Sequence, residues 1–179
     1  MTRAAVTMKF LKDVDMSAFD ALKKRIEGDG RVVNVGIPAS AKEADGTPVA
    51  MIAAVQEFGN PALGIPERSF LRAGVRTNAG DFVQLNRINL VRILQGNMTY
   101  DQALGQLGAM AAGRVKQNIR DGSYAPLKAA TVAARKRRLS SGYRAALAKK
   151  KGAPIEMDKP LIDSGQMWQS ITFEIGPGK

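Results

Sequence analysis

Residues 99–122 read TYDQALGQLGAMAAGRVKQNIRDG, and this stretch decides the fold. Thr99 is a natural N-cap, Asp101 and Gln102 fall in the first turn, and Asp121-Gly122 lies past the end. Between them Ala103, Leu107, Met110, Ala111 and Ile119 recur at the 3.6-residue period, which predicts one long helix over Tyr100–Arg120. Gly105, Gly108 and Gly113 weaken that helix by roughly 1 kcal/mol each relative to alanine. Either they permit a close backbone approach by a neighbour or the helix is simply weak.

On the N-terminal side, DMSAFDALKKRIE (15–27) reads as a helix capped by Asp15 or Ser17, with Met16, Phe19, Leu22 and Ile26 on one face and Gly28 and Gly30 ending it. RVVNVGI (31–37) reads as a strand, alternating at Val33 and Val35 and stopped by Pro38. Thr47-Pro48 reads as N-cap and first helical residue of VAMIAAVQEF, a run apolar enough to be buried on most sides, with Gly59 at its end. After a turn bracketed by Pro61 and Pro66, ERSFLRAGVRTN reads as helical, with Phe70, Leu71 and Val75 inward and Arg68, Arg72 and Arg76 outward. Residues 81–95 continue as helix on Phe82, Leu85, Ile88 and Val91 or Leu94. On the C-terminal side, Asp163 can cap a single turn carrying Met167 and Trp168. Ile171, Phe173 and Ile175 then alternate as a half-buried strand that pairs with 31–37 or with a strand nearer the N-terminus.

The predicted class is therefore α+β: a small antiparallel sheet against a long helix, with further helices. Residues 1–127 and 159–179 form the core domain. Residues 128–158 are a basic, partly extended arm inserted before the last strand, with a short helix near Thr131–Leu139 and, over 140–157, either a mobile loop or an arm that orders only on binding.

Charge is uneven along the chain. Its 179 residues carry 27 Lys+Arg against 16 Asp+Glu, a formal charge of +11. Ten of those bases lie between Lys128 and Lys159, against only two acids, Glu156 and Asp158. The dense runs are Arg135-Lys136-Arg137-Arg138 and Lys149-Lys150-Lys151, which suit a polyanion: nucleic acid or an acidic protein face. Tyr143 is the one ring in that region, so base stacking is not indicated. The bland alternative is a solvated arm that aids solubility.

The chain has no cysteine and no histidine, which removes thiolate and imidazole chemistry, disulfides and the common zinc sites. No phosphate-binding glycine loop is present. Glu57 is the one acid in an apolar stretch. As a catalytic carboxylate it would need a second acid or a metal; as a helix-end residue it would pair with Arg68 or Arg72. Asp163-Ser164 has no base to activate it and reads as a cap, and Trp168 as a core or interface anchor. These readings make no enzyme and imply no cofactor. No run approaches the roughly 18–20 apolar residues of a membrane span, and MTRAAVTMKFLKDVD lacks the apolar segment of a signal peptide. The expectation is a protein that contacts no membrane and stays where it is made.

Three segments, IAAVQEFGNPALGIPERSFLR (52–72), the long helix with Tyr124-Ala125-Pro126-Leu127 and Thr131 after it, and KPLIDSGQMWQSITFEI (159–175), occur in an order and spacing that resembles the neck and tail-completion proteins of long-tailed double-stranded DNA phages. These are also called head–tail joining or virion-morphogenesis proteins. The resemblance covers about half of the chain. It implies a non-enzymatic α+β subunit whose copies form a ring at the top of the tail, six-fold by preference with twelve-fold as the alternative. Its implied partners are further copies, head connector or adaptor proteins, tail terminator or tail-tube proteins, and the DNA in the channel. Its implied place is the virion, after synthesis in the host bacterial cytoplasm. The matched positions Glu57, Phe58, Gly59, Pro66, Phe70, Leu71, Leu161, Asp163 and Gly165 would serve as caps, turns and packing or interface anchors. Arg68 stands where the family tends to have a small residue, so no shared role follows for it.

Overall fold

The computed structural model describes residues 17–26, 30–138 and 158–177. Helix α1 (Ser17–Ile26) precedes strand β1 (Arg31–Gly36). Helix α2 (Val49–Phe58) is followed by a 3-10 turn (Pro61–Leu63), and α3 (Phe70–Thr77) runs almost directly into α4 (Ala79–Leu94). Next come the long α5 (Tyr100–Asp121), α6 (Ala129–Arg138), the five-residue α7 (Gln166–Ser170) and β2 (Thr172–Pro177). The expected class, α+β with a long helix, holds.

α5 organises everything else. Its start is a full capping box: Thr99 Oγ1 accepts the Gln102 N–H, and the Gln102 side chain accepts the Thr99 N–H at 2.9 Å. The two-stranded antiparallel sheet lies against it, with β1 and β2 both in contact. Register places Val33 opposite Ile175 and Val35 opposite Phe173. These four half-buried side chains share the face toward α5, while Asn34, Thr172 and Glu174 face out. Of the three helix glycines, Gly108 is the one that permits close approach to the sheet: a Cβ there would overlap the Phe173 ring. Gly105 and Gly113 face open space. A fourth small residue, Gly74, lets α3 cross α5, since a Cβ would lie 3.0 Å from Val115 Cα.

The core gathers Val49 and Ala53 of α2, Phe70 of α3, Ala112, Val115 and Ile119 of α5, and Leu161, Met167 and Ile171 from the C-terminal segment. Leu161 holds its place in a left-handed conformation, φ 67°, that leucine rarely adopts. The packed C-terminal turn holds that strain in place.

Several expectations are corrected. Pro48, not Thr47, occupies the N-cap of α2. α2 is buried on one face only; Met51 and Phe58 are exposed, Phe58 at 63%. Val75 is exposed, and Arg68 is 4% exposed rather than outward. In α4 the buried residues are Asn89 and Ile93, while Ile88 and Val91 face solvent. Asp163 does not cap α7; the first N–H of that turn goes to Ser164 Oγ at 3.1 Å. Asp15, as a cap of α1, and residues 140–157 lie outside the described residues.

Candidate functional site

The polar centre of the molecule is built on Glu57, at the last turn of α2. Gly59 (φ 73°) turns the chain there, and its missing side chain admits the backbone of Glu67, whose N lies 2.7 Å from where a Cβ would stand. The chain therefore returns at once, and Arg68 N–H bonds Gln56 O at 2.8 Å. The return aims the N-terminus of α3 at Glu57. Its carboxylate accepts the backbone N–H of Leu71 (2.8 Å) and of Arg72 (3.0 Å), the Ser69 hydroxyl (2.9 Å) and Arg72 Nε (2.9 Å). Glu57 thus caps α3 from another helix, and Ser69, which stands at the N-cap, donates to Glu57 instead of capping. Burial pushes the Glu57 carboxyl up; the two backbone N–H groups, the Arg72 guanidinium and the Ser69 hydroxyl together outweigh it and hold it below the ordinary value.

Arg68 does the complementary work on acceptors. Its Nε donates to Ala125 O (2.9 Å), one terminal nitrogen to Pro126 O (3.2 Å) and the other to the Gln56 side chain (2.9 Å). It thereby fastens the 124–126 segment beside α3. Tyr124 closes the same region: its hydroxyl donates to Asn118 O at 2.9 Å, and the Asn118 amide donates to Phe70 O at 2.8 Å. Burial, with the charge of Glu57 second, pushes the Tyr124 phenol up to about 12.

Arg135 repeats the device on α6. It is 8% exposed, and its terminal nitrogen donates to Lys159 O (2.9 Å) and Ile162 O (2.8 Å), with Asp163 at 3.5 Å. Burial and then the charge of Arg135 lower the Arg68 pKa, so the two buried guanidinium groups are near enough to repel. Arg135 is therefore corrected: it was expected to contact DNA or an acidic partner, and it is a clamp between α6 and the C-terminal turn. Trp168 adds a further tie, its indole N–H donating to Lys116 O at 3.1 Å.

The sequence-predicted residues separate by role. Glu57, Gly59, Phe70, Leu71, Leu161, Asp163, Gly165 and Trp168 stand in this interior framework or at its edge, with Gly165 supplying the left-handed turn (φ 81°) before α7. Phe58 and Pro66 lie exposed, and the Arg72 guanidinium sits 4.8 Å above the Phe58 ring. Lys136 and Arg137 are exposed on α6. Arg138 ends that helix. Lys149, Lys150 and Lys151 lie outside the described residues. Arg68, Ser69, Asn118 and Tyr124 were missed as framework residues. The one hint was local: Ser69 sits immediately before Phe70, at a natural helix start.

Among the described residues no group of three or more Asp or Glu side chains is placed to hold a metal ion, and no helix is long and apolar enough to cross a membrane. No family model, curated protein or solved structure matches the chain.

Proposed function

We propose that this chain is a structural subunit of the neck of a long-tailed double-stranded DNA phage, a tail-completion or head–tail joining protein that assembles as a ring around the path of the genome. The observation that carries the reading is the convergence of the three resembling segments. Residues 52–72 meet 124–126 through Arg68, and 159–175 enter the same core through Leu161, Met167 and Ile171. Their most distinctive polar residues hold backbone in place. A carboxylate that is 4% exposed and already caps a helix with four hydrogen bonds is committed to holding backbone, so a building role suits this framework better than catalysis. The partners are then further copies, the head connector or adaptor above, the tail terminator or tail tube below, and DNA in the channel. The protein resides in the virion after synthesis in the host cytoplasm. Particles made without it are expected to show complete heads and complete tails that stay separate in negative-stain images. Normal joined, infectious virions from such a deletion would refute the reading.

One observation favours a second reading, a stand-alone nucleic-acid-binding protein using residues 128–151. Lys136 and Arg137 are exposed on α6, and Arg135 holds that helix to the core. Duplex binding should then weaken steeply with salt. Lys136→Gln with Arg137→Gln should reduce the slope of log affinity against log salt by about 2. Filter binding or fluorescence anisotropy measures this; an unchanged slope removes these two residues from the interface.

A further inference from the structure

We propose that residues 4–11 complete the sheet as a third strand, laid parallel to β1 along its open edge, with α1 as the crossover between the two.

The opening is in the sheet itself. Among the described residues the backbone of β1 bonds only to β2, and that of β2 only to β1. A lone pair of strands is marginal in water, and a bare edge is where another strand adds. The two edges differ. β2 ends in Pro177, which has no N–H to donate, directly after Gly176. β1 has neither proline nor lysine, its one-to-one register leaves no bulge, and Val32, Val33 and Val35 are strong strand formers. None of the usual guards protects this edge, so β1 is the one built to take a strand.

The occupant is named by the chain that leads to β1. In AAVTMKFL (4–11), outside the described residues, Val6, Met8 and Phe10 alternate with Thr7 and Lys9, the period of a half-buried strand. β1 has the same pattern, with Val33 and Val35 half-buried and Val32 and Asn34 exposed. Residues 12–16 lead from this segment into α1, and residues 27–30 lead from α1 to β1. Both are ordinary lengths for the turns of a strand–helix–strand unit, and the crossover as a whole, residues 12–30, exceeds the dozen or so residues that a parallel neighbour needs. α1 packs on α4, and α4 on α5, the helix that carries the sheet, so α1 belongs to the helical layer in which a crossover helix stands. With the segment in place, Val6, Met8 and Phe10 continue the inner face of Val33 and Val35, and Thr7 and Lys9 continue the outer face. Each copy brings its own segment on a short tether, and that high effective concentration favours it over a strand from another molecule.

Parity gives the test. In a strand Met8 and Thr7 face opposite ways, so Met8→Asp should release the segment and Thr7→Asp should not. In the full-length chain followed by amide hydrogen exchange, Met8→Asp is expected to speed exchange of the β1 amides that face away from β2 by about tenfold or more, with the α5 amides unchanged, and Thr7→Asp by less than about twofold. Equal effects of the two variants, or free exchange of those β1 amides in the natural chain, would overturn the proposal. A second measurement reads the position. The chain has no cysteine, and Asn34 and Glu174 stand opposite each other on the exposed face of the sheet. Thr7→Cys with Asn34→Cys, treated with a short bis-maleimide, is expected to link within one chain, read as a joined peptide pair from monomer by mass spectrometry. Thr7→Cys with Glu174→Cys is expected to link several times less. A preference for Glu174→Cys would put the segment on β2, links found only between two chains would make the occupant a second copy, and no link in either pair would leave the edge open; each of these overturns the proposal.

Discussion

Glu57→Ala is expected to lower the stability of the folded chain by about 3 kcal/mol and its Tm by roughly 10 °C. The substitution strips the N-terminus of α3 of its acceptor, leaving the Leu71 and Arg72 N–H groups and the Ser69 hydroxyl without a partner in a region 4% exposed at Glu57. Most of the loss should come from these backbone donors and not from the ion pair. The Arg72 side chain is 48% exposed, so Arg72→Ala should cost no more than about 1 kcal/mol. Urea unfolding of the two variants ranks them. A larger loss for Arg72→Ala would show that the bridge, and not the cap, holds α3.

The same site sets an acid limb. The folded Glu57 carboxyl lies below its ordinary value of 4.5, so its contribution is complete above that value and is lost as pH falls through the depressed folded one. Glu57→Gln keeps an acceptor and removes the charge. Its stability deficit relative to the natural chain should therefore shrink as pH drops below about 4.5, the ordinary value. A deficit constant from neutral pH to the acid transition would mean that the carboxyl is not perturbed.

Glu57 also marks where sequence reading succeeded and where it stopped. That an acid at the end of VAMIAAVQEF would find an arginine was legible, because a lone carboxylate in an apolar run needs a donor. Which arginine was not legible. Arg72 takes it, while Arg68, expected outward by helical spacing, turns in because the carbonyls of Ala125 and Pro126, 57 and 58 residues away, arrive beside it. The long helix was legible because its cap, its period and its stop agree with one another. The sheet was legible because both strands alternate with period two. α4 was misread because its apolar residues lie on more than one side, so the period fits several rotations. The choice of Asn89 over Ile88 and Val91 for the buried face comes from tertiary packing. Arg135 was misread for a similar reason: a four-residue basic run looks uniform, yet a helix turns one member inward, where three groups of the 159–163 segment meet it.

The glycines of α5 pose the same question most sharply. Gly108→Ala is expected to destabilise the chain by at least about 2 kcal/mol, although alanine is the better helix former by about 1 kcal/mol. The new methyl would overlap the Phe173 ring near its point of attachment, and the strand that carries the ring is paired with β1 from Thr172 to Pro177. Neither ring nor strand can step aside without separating the sheet from the helix, so overpacking outweighs propensity. Gly105→Ala and Gly113→Ala provide the control, because a Cβ at either position meets nothing within 4 Å. Each should gain about 0.5–1 kcal/mol. Three substitutions that are identical in sequence terms thus divide by sign. Adding Phe173→Ala to Gly108→Ala should recover part of the loss, with a favourable coupling of about 1 kcal/mol or more. Urea denaturation of the single and double variants reads every term. A Gly108→Ala chain as stable as Gly113→Ala would place β2 elsewhere on the helix, and with it the wall that α5 presents to the sheet.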